Sequence, residues 1–144
     1  MEKGIDSYIR EKFDVPDTDI RTYSPLTLAY IGDGIFDLVI RTVVVGKGNT
    51  HASKLHMRTS HIVKAHTQAL IMEYLTDKLT DEEADICRRG RNAKSATMPK
   101  NATVADYRKA TGLEALMGYL YLTDRFERLV ELIKCAVDGL DLRL

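Results

Sequence analysis

Apolar residues recur every three or four positions along most of the chain, the spacing typical of amphipathic helices. Strand signals are weak, because even the β-branched run VIRTVVV continues the helical pattern around it. The pattern therefore predicts an all-α helical bundle. Helices are expected at residues 5–13, 25–45, 50–75, 80–90 and 105–122, and a sixth is expected after Asp124. The buried stripe of the sixth helix is expected to comprise Phe126, Leu129, Val130, Ile133 and Val137.

Local signals mark several of the helix ends. Ser24 followed by proline is typical of an N-cap residue and the first helical position. Thr80 and Asp124 each precede a glutamate by three residues, which is the spacing of a capping box. We therefore expect helices to begin at these three places. Residues 91–104 contain a proline and several small polar residues, and they are predicted to be mainly loop.

The second predicted helix contains the stretch LAYIGDGIFDLVIR, in which charged residues interrupt an apolar run. On a helix, Asp33, Asp37 and Arg41 fall at i, i+4 and i+8 and share one stripe, while the other faces are apolar. The helix is therefore predicted to be largely buried with one polar seam. The three charges exclude a membrane span, since each costs roughly 2.5–3.5 kcal/mol near the centre of a bilayer. A surface ion pair is an alternative for Asp37 and Arg41.

Gly32 and Gly34 flank Asp33, and each glycine costs a helix roughly 1 kcal/mol relative to alanine. Their presence predicts that another group approaches this turn closely, either a packed helix or a phosphate backbone. In the fifth predicted helix, Glu114 lies among small residues that permit such a contact. A glutamate facing Asp33 would be repelled unless a cation lay between them. Two carboxylates around a hard cation form an oxygen-ligand site suited to magnesium.

Composition and charge narrow the class of protein. The chain of 144 residues is 44% hydrophobic and 29% charged, which suits one globular domain with a single core over residues 1–144. The formal net charge is zero, yet residues 88–109 contain seven basic residues and one acidic residue, a net +6. Such segregation indicates an anionic partner, and a solvated charged face is the alternative.

The N-terminus and the cysteines indicate an intracellular protein. The first residues, MEKGIDSYIREKFDV, have interspersed charges and no apolar core, so they do not resemble a secretory signal. Cys87 and Cys135 are far apart and form no CxxC pair. Free thiols in a reducing cytoplasm are therefore expected.

Four histidines recur every five residues, at His51, His56, His61 and His66. On one helix, each step of five residues turns about 140°, so these side chains spiral around the axis and do not converge on a zinc ion. We interpret them as surface histidines. The sequence contains no phosphate-binding loop, nucleophile elbow or cysteine-based metal motif.

Three stretches resemble one enzyme family. YIGD within its apolar helix, and LEALMGYLYL after a run of small residues, are similar to the two metal-binding segments of the ribonuclease III domain. The longer stretch RRGRNAKSATMPKNATVADYRKATGLEA resembles the bacterial Mini-ribonuclease III subfamily. That subfamily has the catalytic domain without an appended domain that binds double-stranded RNA. The resemblance covers about residues 26–132 and implies the all-α ribonuclease III endonuclease fold.

The resemblance also implies an activity. It implies a magnesium-dependent homodimer in the cytoplasm that cleaves double-stranded RNA, leaves 5′-phosphate and 3′-hydroxyl ends, and acts on precursor large-subunit (23S) ribosomal RNA. Asp33 matches the family's aspartate in the first motif and Glu114 its glutamate in the second, so both are expected to be catalytic and to bind the metal. Mn²⁺ is expected to substitute for Mg²⁺. A ribosomal protein or a ribosome-assembly intermediate is a further candidate partner, and no membrane partner is expected.

Two positions depart from full-length ribonuclease III, which has carboxylates where this chain has Ala29 and Thr111. These departures leave open an alternative function, a catalytically silent domain that binds structured RNA in the ribosome. They also leave open whether one or two metal ions occupy a site. The residues expected to contact RNA are Arg88, Arg89, Arg91, Lys94 and Lys100. The candidates to support the carboxylates are Asp37, Tyr107, for which simple packing is the alternative, and Thr111.

Overall fold

Helices dominate the structure, a computed structural model that describes residues 4–94 and 102–144. Within these two ranges no strand occurs, so the prediction of an all-α protein is confirmed. None of the helices in the same ranges combines the length and the apolar character needed to cross a membrane. Two single 3₁₀ turns comprise Ile20–Thr22 and Thr76–Lys78. The α-helices of the described residues are α1 (Ile5–Lys12), α2 (Pro25–Gly46), α3 (Ala52–Val63), α4 (Ala65–Leu75), α5 (Asp81–Asn92), α6 (Val104–Leu122) and α7 (Phe126–Gly139).

Helix α6 lies at the centre of the bundle, with α2, α4 and α5 packed around it. Every residue from Ala110 to Tyr121 is buried except Glu114. A helix enclosed on every side has to be apolar or small on every side, and this part of α6 meets that requirement. Glu114 is therefore the single half-exposed and acidic residue in the most enclosed segment of the fold.

Two of the predicted helix starts are confirmed by their capping bonds. The hydroxyl of Ser24 accepts a hydrogen bond from the N–H of Thr27 at 3.2 Å, and a proline occupies the first position of α2. At α5, the N–H of Glu83 donates to the hydroxyl of Thr80 and the N–H of Thr80 donates to the Glu83 carboxylate, which completes a capping box. The buried Glu83 also pairs with Arg128 of α7 at 2.7 Å, and this ion pair holds its pKa below the usual range.

The structure divides the third predicted helix into two, so that prediction was wrong. Helix α3 ends at Val63, Lys64 has an extended backbone (φ −68°, ψ 154°), and α4 begins at Ala65. The hydroxyl of Thr67 donates to the carbonyl of His61 across this break at 2.7 Å. Because that bond satisfies a carbonyl left free at the end of α3, the break needs no glycine or proline. The sequence pattern therefore gave no sign of it.

A helix follows Asp124 as predicted, but the predicted capping role of Asp124 was wrong. Asp124 has a left-handed backbone (φ 60°), and its N–H donates to the carbonyl of Tyr121 at 3.2 Å. Aspartate adopts this conformation more readily than most residues, so here it ends α6 and does not begin α7. Arg125 becomes the N-cap of α7 and makes no side-chain capping bond, so no capping box with Glu127 forms.

Helix α7 buries a stripe that is shifted from the predicted one. Leu129 and Ile133 are buried as predicted, but Phe126 and Val130 are exposed. Leu132 and Ala136 are buried in their place, and Val137 is half-buried. Apolar residues border this stripe on both sides. In such a helix, periodicity predicts the presence of a buried stripe better than it predicts which residues lie at its centre.

Helix α2 is buried on one side only, contrary to the prediction of a largely buried helix. On its open side, Tyr30 is 84% exposed and Leu38 is 47% exposed. Among residues 4–94 and 102–144, the neighbours of α2, chiefly α6 and α3, leave this apolar side uncovered. The buried residues of α2 are Leu28, Ala29, Gly32, Ile35, Phe36, Ile40 and Val44.

A smaller expectation concerns the end of α5. Gly90 was predicted to end this helix, but α5 continues to Asn92. Gly90 instead allows close packing, since a Cβ added there would lie 2.9 Å from the Cα of Gly112 in α6.

The two cysteines, Cys87 and Cys135, are free, as predicted. Burial raises the pKa of the Cys87 thiol to about 12, so this thiol stays protonated.

Candidate active site

Two glycines allow α2 and α6 to cross at very short range. A Cβ added at Gly32 would lie 1.7 Å from the carbonyl oxygen of Glu114, and one added at Gly118 would lie 1.9 Å from the carbonyl oxygen of Leu28. Neither position accepts a side chain unless the two backbones move apart. The prediction that a packed helix approaches Gly32 is confirmed. A Cβ at Gly34 would meet no described atom within 4 Å, so contacts among the described residues do not explain this second glycine.

The crossing brings the carboxylates of Asp33 and Glu114 into direct contact. Asp33 is exposed, Glu114 is half-buried, and a hydrogen bond joins their side chains. Burial raises the pKa of Glu114 to about 9, with further contributions from that hydrogen bond and from the charge of Asp33. At neutral pH the pair therefore holds a proton, which a cation bound between the carboxylates would displace.

The two carboxylates open into a cleft of about 640 Å³. Helix α6 forms one wall, and the junction of α3 and α4 around Lys64 forms another, so the helix break shapes the cleft. Along the junction wall, His66 Nδ1 is hydrogen-bonded to Asp106 Oδ2 of α6 at 3.0 Å, and Gln68 is only 3% exposed. Sequence reasoning gave Gln68 no role and treated His66 as an ordinary surface residue. No spacing signal marks either residue, because the break alone turns them towards α6.

The donor set in the cleft fits a hard divalent cation. Among the described residues, no group of three or more His, Cys, Asp or Glu side chains is placed to hold a metal ion. Asp33 and Glu114 therefore form a site of two carboxylates, and the remaining ligands would be water or substrate oxygens. Mg²⁺ is commonly bound in this way, because it retains several waters and takes one or two carboxylates together with phosphate oxygens.

Comparison with known proteins identifies the family. Residues 26–125 match the Ribonuclease III domain. Mini-ribonuclease 3 of Thermoanaerobacter sp. (strain X514) is 43% identical to this chain over 98% of this chain and 99% of its own length. The chain belongs to the Mini-ribonuclease III family. Mini-ribonuclease 3 of Staphylococcus aureus is 47% identical over 81% of this chain and 89% of its own length. A crystal structure of a protein from Fusobacterium nucleatum superposes with a TM-score of 0.77 at 33% identity, covering 85% of this chain and 94% of that one.

Mini-ribonuclease III proteins are endoribonucleases of the ribonuclease III type that cleave double-stranded RNA and mature 23S ribosomal RNA. The resemblance found in the sequence is thus confirmed. At the two positions where full-length ribonuclease III has further carboxylates, Ala29 is 8% exposed and Thr111 is 5% exposed. In this Mini-ribonuclease III chain, therefore, the acidic groups of the cleft that touch one another are Asp33 and Glu114.

Of the three candidates to support these carboxylates, one lines the cleft. Tyr107 of α6 is part of the cleft wall. The hydroxyl of Thr111 donates to the carbonyl of Tyr107 at 2.9 Å, so its proton is committed to the helix backbone. Asp37 is bound to Arg41 at 2.6 Å, which confirms the surface ion pair that the sequence offered as an alternative.

The candidate RNA-binding residues lie on another part of the Mini-ribonuclease III surface. Arg88, Arg89 and Arg91 occupy the last turns of α5, and the exposed Lys94 follows that helix. None of these four lines the cleft. Arg88 is paired with an aspartate one turn earlier, which reduces its availability for phosphate. Lys100 lies outside the described residues.

Proposed function

We propose that this chain is a Mg²⁺-dependent endoribonuclease that cuts double-stranded RNA through Asp33 and Glu114, with precursor 23S ribosomal RNA as its cytoplasmic substrate. The observation that carries the proposal is the direct contact of these two carboxylates in an open cleft. Burial of Glu114 beside a second carboxylate raises its pKa, which is costly for a purely structural helix crossing. It is the arrangement expected where a cation supports hydrolysis of a phosphodiester.

Asp33 and Glu114 would hold Mg²⁺, or Mn²⁺ in its place, through their carboxylate oxygens. When bound, such an ion activates water for attack and stabilises charge on the phosphate. The contribution of the chain is the position of the two acids. Because Gly32 and Gly118 place backbone against backbone, α2 and α6 cannot come closer without a clash, and this close crossing sets the positions of the two carboxylates. Glu114 gives up the proton that it holds when the cation binds.

The basic end of α5 is proposed to hold the RNA. A-form duplexes are recognised mainly through their backbone and shape, and arginine binds phosphate in a bidentate manner. Arg89, Arg91 and Lys94 place three positive charges outside the cleft, and a duplex is long enough to contact both the cleft and a separate basic surface. Arg88, which is already paired, and Lys100 are weaker candidates.

We also propose that two copies form a symmetric dimer across the open side of α2. Leu26, Tyr30 and Leu38 form an exposed apolar strip at intervals of four or eight residues, and Gly34 lies within it with open space beside its Cα. A glycine in a helix costs about 1 kcal/mol relative to alanine, and the close approach of a second α2 would account for it. Because Asp33 borders the strip, a two-fold axis there would place two carboxylate pairs near each other, one for each RNA strand.

Sedimentation tests the dimer and its surface. At micromolar concentration the protein should sediment with about twice the chain mass of 16.3 kDa. Tyr30→Arg should shift it towards the monomer. Phe13→Arg changes an equally aromatic residue, 77% exposed beyond the end of α1, and should leave the dimer intact. Dissociation by the Phe13 variant alone would assign the interface elsewhere, and a monomeric wild type that cuts both strands at full rate would refute the dimer.

Cleavage of a long RNA duplex tests the activity. The pure protein should yield fragments with 5′-phosphate and 3′-hydroxyl ends when Mg²⁺ or Mn²⁺ is present and none when divalent ions are chelated. Duplex binding without cleavage in both conditions would favour the catalytically silent RNA-binding domain. The same assay with an added ribosomal protein or precursor ribosomal particle shows whether a further partner changes the rate.

A further inference from the structure

Gln68 is the residue of the cleft whose buried donor group lacks a partner. The side chain is 3% exposed, and no acceptor among the described residues lies within hydrogen-bond distance of its Nε2. Buried side-chain amides in proteins are nearly always hydrogen-bonded, so an unpaired one requires an explanation. A group that binds in the cleft provides that explanation.

The start of α4 holds Gln68 in place. Its N–H donates to the carbonyl of Lys64 at 3.0 Å, which closes the first turn after the helix break. The neighbouring Thr67 is buried and ties the same turn to the end of α3. The backbone of Gln68 is therefore fixed from both sides, and its side chain lines the cleft that contains Asp33 and Glu114.

The chemistry of the cleft indicates what the amide would bind. Asp33 and Glu114 attract a cation but repel a phosphate, so a phosphodiester bound beside them needs donors directed at its oxygens. His66, the next donor along the same wall, is largely exposed and already bonded to Asp106. An amide N–H donates without adding charge, and a buried donor that is already oriented stabilises developing charge better than a hydrated one.

We propose that Gln68 is a further catalytic residue of this ribonuclease, whose Nε2 donates a hydrogen bond to a non-bridging oxygen of the scissile phosphate. This inference rests on the proposed function. Gln68 neither gains nor loses a proton, and its hydrogen bond strengthens as negative charge on the phosphate oxygens increases during attack. The residue is therefore expected to affect the rate of cleavage more than the affinity for RNA.

The variant Gln68→Leu, similar in size but without a donor, tests the role. Single-turnover cleavage at saturating duplex should fall by about 10²- to 10³-fold, the loss typical of removing one such donor. RNA affinity should change little, and the midpoint of thermal unfolding should stay equal or rise because a buried unpaired amide is removed. Met72→Leu, buried on the same helix but outside the cleft, is the matched control and should cleave at the wild-type rate. A wild-type rate in Gln68→Leu, or a loss of rate explained by loss of folded protein, would overturn the proposal.

A phosphorothioate at one cleavage position separates contact with the phosphate from a structural role. Sulfur is a weaker acceptor than oxygen, so the wild type should cut one diastereomer slowly, and Gln68→Leu should show a much smaller slowing with that diastereomer. Equal slowing in both proteins for both diastereomers would refute the contact. The control in this experiment is cleavage of the unmodified duplex by the wild-type protein. If the wild type does not cleave that duplex, the proposed function itself fails. If the wild type cleaves it normally but both proteins are slowed equally by the phosphorothioate, only the role of Gln68 is refuted.

Discussion

The α2–α6 crossing and the C-terminal end of α5 differ in how firmly the fold holds their charged groups. At the crossing, Asp33 and Glu114 lie where two backbones are as close as glycine permits. At the end of α5, Arg89 and Arg91 lie on the periphery, and the chain soon leaves the helix. Groups that share one ion need a fixed spacing, whereas charges that attract a polyanion act over a Debye length of about 8–10 Å and tolerate movement. We therefore expect the chemistry to depend on the rigid region and RNA affinity to depend on the peripheral one.

The largest expected effect is the loss of cleavage on removal of either carboxylate, with RNA binding retained. Asp33→Asn and Glu114→Gln each remove a charged ligand, so cleavage at saturating Mg²⁺ should fall by more than about 100-fold, the upper range for losing only outer-shell support of a metal. Binding of duplex RNA in a mobility-shift assay should persist, because the basic end of α5 is unchanged. Near-normal cleavage by either variant would show that the altered residue is not a metal ligand.

The two glycines beside Asp33 provide a matched pair for testing rigidity. Gly32→Ala places a methyl group on the Glu114 carbonyl and should destabilise the fold by more than about 3 kcal/mol, beyond the usual cost of overpacking. Gly34→Ala meets no described atom, so it should stabilise the single chain by up to about 1 kcal/mol and weaken the dimer if a second α2 packs there. Urea unfolding and sedimentation measure both effects, and equal loss of stability in the two variants would contradict the close crossing.

Removal of charge at the end of α5 should affect binding and leave chemistry nearly intact. A triple change of Arg89, Arg91 and Lys94 to glutamine should weaken duplex binding. It should also reduce the slope of log affinity against log salt by up to about 0.9 for each phosphate that the protein no longer neutralises, a duplex-DNA value used here for RNA. The rate at saturating RNA should fall much less than in Asp33→Asn.

A second triple variant, which removes three positive charges away from the end of α5, controls for the decrease in net charge. Glutamine at the exposed Lys12, Lys47 and Lys134 should leave the salt slope unchanged. If the α5 triple variant keeps its affinity and slope but loses turnover, these residues act in the chemical step and not in RNA binding.

The last expected effect is a pH-dependent stabilisation by Mg²⁺. The pKa of Glu114 is raised from an ordinary value of 4.5 to about 9, so its contribution to stability is complete below about pH 4.5 and is lost as the pH rises towards 9. Without divalent ions, stability should therefore decline over this range relative to Glu114→Gln, by at most about 1.4 kcal/mol per pH unit. Mg²⁺ replaces the proton and should raise the unfolding midpoint more at pH 8 than at pH 6. An equal response in Glu114→Gln would place the cation elsewhere.

Local sequence signals predicted helix ends well where the capping bonds stay within one turn. Ser24 and Thr80 cap α2 and α5 as predicted, because each accepts a bond from an N–H only three residues away. Asp124 carries the same signal, yet the end of α6 uses it in a left-handed conformation. An aspartate can either cap the start of a helix or adopt the left-handed conformation that ends one. The position at which α6 stops decides which of these two roles Asp124 takes.

The carboxylate pair was predictable in part. Small residues around Glu114 and the glycine at position 32 predicted a close helix contact, since both features cost helix stability unless something packs there. The family motifs then indicated which two acids meet. The exposure of Tyr30 was not predictable, because the apolar pattern of α2 is the same whether its second side meets the core or a second copy of the chain.

The sequence by itself determined the helical class, most helix boundaries and the segregated positive charge, because periodicity, capping and composition depend on residues near one another in the chain. The two acids were indicated by the resemblance to the ribonuclease III motifs. Only the tertiary structure decided where the third predicted helix breaks, and with it the shape of the cleft. The break at Lys64 depends on a side-chain bond between Thr67 and His61 and on the packing of α4 against α6. Those interactions place Gln68 in the wall of the cleft that contains Glu114. No local preference of the residues around Gln68 encodes a position in that wall.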